Sequence, residues 1–330
     1  MENKETYMQK YIWDEIYSSI DYKEFEIDFF GGEPLIMFDL IKDICKTLKK
    51  DSRCKKINLY SNGLLLDQEK VDYIKKTGIN FYLSFDGLWQ DGGYEPYLEK
   101  KHLFEQIVKN PICMIPPKKP YTIVQNYKWF LDEFGMVPNF KIVKDNIWSK
   151  KTATIFSLEF SGLCSSYGNR LKLKQENCMP GIIEHYFLLL VDGIRNGYVD
   201  SYCGAGINHI AYMPDGSKHQ CARFGSKSTK WGYDAMGMKP PHTSTGAWSK
   251  CGMGIGGPNK KEYVCEIIDF CEKGCYYDLL DNPNTKQLGL CTVYKAIYHH
   301  IIELNHWLRD NQQWQGIVIQ LLKGEKYIED

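Results

Sequence analysis

Five short apolar runs, spaced along the first half of the sequence, constrain this chain most. Phe25–Phe30, Ile57–Ser61, Phe81–Phe85, Ile112–Ile115 and Phe140–Val143 read as strands. Helical patterns stand between them, over Leu40–Lys49, Gln68–Lys76, Leu103–Lys109 and Val124–Phe134. Strands that alternate with helices at this interval predict an α/β fold with a parallel sheet and crossover helices, here as a partial (β/α) barrel. In such folds ligands sit at the C-terminal ends of the strands. Three of those ends carry distinctive turns: Gly31-Gly32-Glu33-Pro34, Asn62-Gly63 and Asp86-Gly87.

The first turn ends an apolar strand and opens a helix. Paired glycines let a ligand approach the backbone closely, Pro34 suits a first helical turn, and the Glu33 carboxylate stands where it can accept bonds from an ammonium group. A tight turn with an acidic residue near a helix N-terminus explains the same residues without a ligand. Asn62-Gly63 and Asp86-Gly87 are common turn chemistry, and their interest lies in following strands of one sheet.

Beyond Lys150 the alternation fades. A helix is expected from about Pro180 to Asn196 and another from Val293 to about Leu322, while the stretch from Gly225 to Pro258 has no clear period. Cysteine usage changes too. Of twelve cysteines, Cys45, Cys54 and Cys113 are scattered early, whereas seven fall between Cys203 and Cys291. The 41 basic and 41 acidic residues cancel, so charge draws the chain neither to nucleic acid nor to an anionic membrane. The start has no signal-peptide core, and the run Tyr186–Val191 is too short to cross a bilayer, so a cytoplasmic location is expected.

Clustered thiols in such a chain point to metal rather than disulfides. Cys203 and Cys221 flank the turn Pro214-Asp215-Gly216, as two short strands presenting a thiolate at each end would. Cys265, Cys271 and Cys275 are spaced C-x5-C-x3-C, and Cys291 follows. Thiolates this close on a loop-rich segment share a soft metal, iron–sulfur or zinc, unless they are buried reduced thiols acting as small hydrophobes. His209 and His219 flank the first pair as turn histidines or additional ligands, and His299-His300 read as structural.

Together these residues resemble the radical S-adenosylmethionine (SAM) enzymes with a C-terminal SPASM domain, the group that includes peptide and sulfatase maturases. The resemblance runs from about Phe25 to Cys291. Ile27–Leu35 is similar to the family's glycine-glycine-glutamate segment, which implies that Gly31, Gly32 and Glu33 bind the methionyl amine of SAM. Ser61 and Asn62 in Leu59–Gly63, and Ser84 and Asp86 in Leu83–Gly87, resemble the next two strand ends, where a serine contacts SAM. Met114-Ile115-Pro116, then Asn126 and Phe130–Gly135, follow the same pattern. The SPASM pattern, C-x9-15-G-x4-C, a gap, C-x2-C-x5-C-x3-C, a gap and C, is met by Cys203, Gly216 and Cys221, then Cys265, Cys271, Cys275 and Cys291. That match implies one auxiliary cluster on Cys203, Cys221 and Cys275, and another on Cys265, Cys271 and Cys291. Cys164, Cys178 or Cys251 is available as a fourth ligand of the first.

The departures carry weight. The family's C-x3-C-x2-C, which holds the SAM-cleaving cluster, is absent from the sequence, since Asp278 stands where a third cysteine would follow Cys271 and Cys275. In the family that motif precedes the glycine-glycine-glutamate strand, so the first barrel strand is expected to be missing with it. Without three thiolates, SAM cleavage is expected to fail unless a separate N-terminal fragment supplies them. Glu262 replaces the first cysteine of C-x2-C, and Ala222 follows Cys221 where sulfatase maturases carry an aspartate. The expected organisation is a partial barrel over 1–150, a bridging segment over 151–200, a SPASM-like metal domain over 201–292 and C-terminal helices over 293–330. The expected role is an iron–sulfur protein related to maturases of peptide or protein side chains, with a metal-stapled binding scaffold as the alternative.

Overall fold

The structure, a computed structural model, describes residues 7–117, 120–143, 148–174, 179–196, 209–219, 221–222, 267 and 288–311. In chain order its elements begin α1 Lys10–Ser18, β1 Phe25–Phe29, α2 Phe38–Leu48, β2 Cys54–Ser61, α3 Gln68–Thr77 and β3 Asn80–Leu83. There follow α4 Glu95–Glu99, α5 Lys101–Phe104, β4 Ile112–Ile115, α6 Ile123–Trp129, β5 Asn139–Ile142, α7 Lys150–Lys172 and α8 Gly181–Asn196. Last come β6 Ala211–Tyr212, β7 Lys218–His219 and α9 Leu288–Asp310. The chain divides into two compact units, Met1–Phe85 with Tyr94–Lys109 and Tyr202–Ala247, and Asp86–Gly93 with Asn110–Ser201 and Trp248–Asp330.

The first unit is built on a parallel sheet in the order β1-β2-β3. Register places Phe29 beside Leu59 and Leu59 beside Phe81, while Asp28 faces Asn58 and Asn58 faces Asn80. Because side chains alternate along a strand, Ile57, Leu59, Phe81 and Leu83 share one buried face. The buried stripes of α2 (Phe38, Ile41, Ile44, Cys45, Leu48) and α3 (Val71, Ile74) supply more of this core. Asp67 caps α3 by accepting from the Lys70 amide at 2.9 Å, and Gly78 ends the helix in the left-handed region at φ +67°. The pair β6 and β7 is antiparallel around Pro214-Asp215-Gly216, as the turn chemistry predicts.

The second unit pairs β4 with β5 in parallel, with α6 between them in sequence. A π-helical turn, Phe130–Phe134, prolongs α6, and Gly135 closes it at φ +62°. The long α7 lies where no strand–helix period is legible. Its buried residues Ala153, Phe156, Phe160, Leu163, Cys164, Tyr167 and Leu171 still recur every three to four positions. Ser149 starts it with a reciprocal capping box to Thr152. Helices α7 and α9 pack closely: the Trp307 ring lies against Gly168, and the Ser157 hydroxyl meets His300 Nε2 at 3.1 Å. His300 Nδ1 lies 2.8 Å from Glu303, which fits the structural role read for this histidine.

Strand positions agree with the sequence expectation to within a few residues, whereas Leu103–Lys109 gives only the short helix α5. No described helix is long and apolar enough to cross a membrane.

The turn from α2 into β2 is held by Asp51. Its carboxylate is paired with the Arg53 guanidinium at 2.7 Å and accepts from the Arg53 amide and the Tyr17 hydroxyl, both at 2.9 Å. The Arg53 side chain first, then its amide, hold the Asp51 carboxyl well below the usual carboxylate range. A depressed folded-state value stabilises the protein above the unfolded value, near 3.8, and that stabilisation is lost as pH falls. Asp51→Asn is therefore expected to lower stability at neutral pH and to flatten its decline below about pH 4. Urea unfolding across pH 2–7 (roughly the window where carboxylates protonate) checks this; parallel wild-type and variant profiles would contradict it.

Candidate functional site

At the C-terminal end of β1 the chain leaves the sheet through Phe30, Gly31 and Gly32. Gly31 adopts φ +139°, which side chains disfavour, and open space stands where a Cβ would be added to either glycine. Glu33 follows in extended conformation and caps the short helical turn Pro34–Met37. Its carboxylate joins two strand ends. Oε1 accepts from the Leu35 amide at 3.0 Å and the Ser61 hydroxyl at 2.6 Å, and Oε2 accepts from the Asn62 amide at 3.0 Å.

Ser61 is 3% exposed, and its hydroxyl also accepts from the Gly63 amide at 2.9 Å. Asn62 closes its own turn by accepting from the Leu64 amide at 2.9 Å. Gly63 is fixed in kind: at φ +75° a Cβ would lie 2.7 Å from the Phe104 ring and 2.8 Å from Leu83. Ser84 extends the same edge, its amide donating to the Ser61 carbonyl at 2.8 Å, with the residue itself exposed. A carboxylate has about four acceptor positions, so three protein bonds leave Glu33 one for a further donor such as an ammonium. Gly31, Gly32, Glu33, Ser61, Asn62 and Ser84 thus belong to one set of strand ends in the first unit.

Asp86, also a sequence candidate, is placed in the second unit. There its carboxylate accepts from the Met114 amide at 2.7 Å, fixing the turn after Phe85 to β4. Asn126, wholly buried, donates to the Asp86 carbonyl at 3.0 Å, accepts from the Leu88 amide at 3.0 Å and donates to Cys113 Sγ at 3.4 Å. Burial pushes the Cys113 thiol well up, so it packs as a neutral group.

Of the expected metal ligands, Cys203, Cys265, Cys271 and Cys275 lie outside the described residues. Cys221 falls in the first unit just after β7, and Cys291 lies on α9 in the second. Among the described residues no three His, Cys, Asp or Glu side chains gather as a metal site. Cys164 is buried in α7, where burial raises its thiol. His219 is 5% exposed, with Nε2 bonded to the Ser217 hydroxyl at 2.9 Å.

The sequence reading passed over a polar and aromatic set on the other face of the sheet, Asp28, Asn58 and Asn80 with Tyr60 and Tyr82. Its signal was present, since polar or aromatic residues alternate with apolar ones along β1, β2 and β3.

With this geometry in place, the comparisons with known proteins bear on the fold. The chain has a mixed α/β fold with parallel sheets, similar to that of anSMEcpe. Native anSMEcpe with bound AdoMet superposes at a TM-score of 0.63 and 15% identity, over 91% of this chain and 89% of that one. Native anSMEcpe with bound AdoMet and Cp18Cys peptide gives 0.63 and 16%, over 91% and 90%. In sequence, the chain is 34% identical over 86 residues to the radical SAM cyclopropyl synthase TigE of Paramaledivibacter caminithermalis. That stretch is 26% of this chain, and it spans only 18% of the length of TigE. No protein-family model matches the chain.

Gly63 and Gly78 separate two costs of a side chain at positive φ. Gly78, at φ +67°, has open space around a built Cβ, so Gly78→Ala is expected to cost about 1 kcal/mol. Gly63→Ala adds overlap with Phe104 and Leu83, and is expected to cost roughly 1–3 kcal/mol more. Denaturant unfolding of the two variants measures the difference; equal losses would contradict the packing described for the Ser61–Gly63 turn.

Proposed function

We propose that this chain is a radical SAM/SPASM-type protein acting on a peptide or protein, and that Glu33 receives the amine of SAM. The observation that carries this reading is the Glu33 carboxylate, fixed by Leu35, Ser61 and Asn62 at the end of a parallel sheet, with an acceptor position to spare. The likeness to anSMEcpe with bound AdoMet supports the cofactor, and the form with Cp18Cys peptide supports a peptide as the substrate class.

On this reading Ser61 and the Asn62 amide hold the carboxylate in orientation, so an ammonium meets a charge already aimed. Gly31 and Gly32 keep side chains away from the approach. Ser84, exposed at the neighbouring strand end, is available for a hydroxyl contact. When bound to a reduced iron–sulfur cluster, SAM supplies the radical chemistry of hydrogen abstraction. The sequence contains no C-x3-C-x2-C, so cleavage requires thiolates from elsewhere, for which a separate fragment is one source. Cys203, Cys221 and Cys275, and Cys265, Cys271 and Cys291, are the proposed ligands of auxiliary clusters, with zinc as the competing metal. The missing motif and Glu262 favour a second reading, a metal-stapled peptide-binding scaffold without SAM cleavage.

Equilibrium dialysis with SAM tests the assignment. Glu33→Ala removes one charge-assisted bond to the ligand, and is expected to weaken SAM binding on the order of tenfold or more. Unchanged affinity removes Glu33 from the site. Metal analysis separates the two cofactor chemistries: anaerobic preparation is expected to give a brown protein with acid-labile sulfide. A colourless protein with stoichiometric zinc would overturn the iron–sulfur assignment.

A further inference from the structure

The sheet of the first unit has a second face, and register sorts its side chains into three rows. Glu26 and Lys56 form the first, an ion pair at 2.8 Å. Asp28, Asn58 and Asn80 form the second. Asn80 Nδ2 donates to Asn58 Oδ1 at 2.9 Å, and Asn58 Nδ2 donates to Asp28 Oδ1 at 2.7 Å. Tyr60 and Tyr82 form the third, at the C-terminal end of the strands, and the Phe30 ring, just past the end of β1, joins them. Tyr60 and Tyr82 stack at 4.6 Å and 11°, and Phe30 meets Tyr60 edge-on at 5.7 Å.

Cross-strand pairing accounts for the tyrosine stack as sheet structure. It does not account for Phe30, whose side chain is 68% exposed beside Gly31. Nor does it account for Asp28. The Glu26 charge is matched by Lys56, but Asp28 is exposed and receives a neutral amide. Among the described residues nothing donates to its Oδ2. The buried Asn58 amide, itself aligned by Asn80, holds Oδ1 of this carboxylate. Among the described residues the Tyr60 and Tyr82 hydroxyls also have no hydrogen-bond partner.

An unmatched carboxylate and the electron-rich faces of aromatic rings both attract a cation and disfavour an anion. Successive rows on one face are about 6.6 Å apart along a strand. An extended cationic side chain spans that distance, with its charged head at Asp28 and its methylene stem across the rings. Guanidinium suits the place better than ammonium, since it is planar, stacks on aromatic rings and forks onto a carboxylate.

We propose that Asp28, Phe30, Tyr60 and Tyr82 form a recognition subsite for a cationic side chain of a peptide, arginine in first place. This rests on the reading of the chain as a peptide-acting protein, and it names the chemical class recognised at the strand ends that carry Glu33.

The test uses the full chain and fluorescently labelled Gly/Ser hexapeptides with one central arginine, lysine or norleucine, read by fluorescence anisotropy. The arginine peptide is expected to bind about tenfold more tightly than the norleucine peptide, with lysine between them. The preference should shrink in Asp28→Asn and as salt rises. Phe30→Ala, at an exposed ring, provides a second variant and is expected to weaken the arginine peptide about threefold. Equal binding of the arginine and norleucine peptides, or a preference that survives both substitutions, overturns the proposal. SAM dialysis on the same samples separates the two readings. An arginine preference without SAM binding supports the subsite and removes the cofactor assignment; SAM binding without the preference does the reverse.

Discussion

The arrangement of strand ends in the first unit depends on one carboxylate. Glu33 reaches from the turn after β1 to the end of β2, and its three acceptor bonds replace the water that a charged side chain would otherwise require. Charge-assisted bonds of this kind contribute on the order of 1.5–3 kcal/mol each. Their larger effect is geometric. The Ser61 hydroxyl can donate to Glu33 while accepting from Gly63 only if the chain turns sharply at Gly63. That turn in turn needs a residue without a Cβ, because Phe104 and Leu83 fill the space. Sequence, local turn and site are therefore linked through a short chain of hydrogen bonds.

The same sheet shows how one strand serves two purposes. Period-two alternation places Leu59 in the core and Asn58 and Tyr60 on the opposite face, where polar and aromatic rows cross three strands. Burial, with the nearby carboxylate of Asp28 and the neighbouring Tyr82 phenol, pushes the Tyr60 phenol up to about 12, so it stays neutral at physiological pH. A face with neutral phenols, an exposed phenyl ring and one unmatched carboxylate differs in kind from the face behind it, which is apolar up to Ser61 at the strand end.

Much of this was legible in the sequence, for physical reasons that can be named. The strands were visible because their apolar runs end at Gly-Gly, Asn-Gly and Asp-Gly, and turn chemistry is local. The three turns were legible as ends of strands in one sheet, but the bonds from Ser61 and Asn62 to Glu33 were not, since they join residues 28 and 29 positions apart. Helix α7 was not legible, because Thr152, Thr154, Ser161, Gly162, Ser165 and Gly168 dilute its period. Packing against Val124 and Trp307 at those two glycines compensates for weak local propensity. Asp86 illustrates a different limit. Its Asp-Gly turn resembles the other strand ends, yet its carboxylate bonds the Met114 amide, a partner 28 residues on that no local pattern announces. The metal domain expected over 201–292 lies largely outside the described residues, so its cysteines stand on their spacing alone.

The most direct measurement of the central claim is an amide NMR titration of the isotope-labelled chain with SAM. A ligand amine at Glu33 should move the resonances of Gly31, Gly32, Leu35 and Asn62, whose backbones surround or bond that carboxylate. Saturable shifts confined to these residues and their strand neighbours are the expected result. Shifts that leave Leu35 and Asn62 unmoved, or no response to SAM, would contradict a site centred on Glu33.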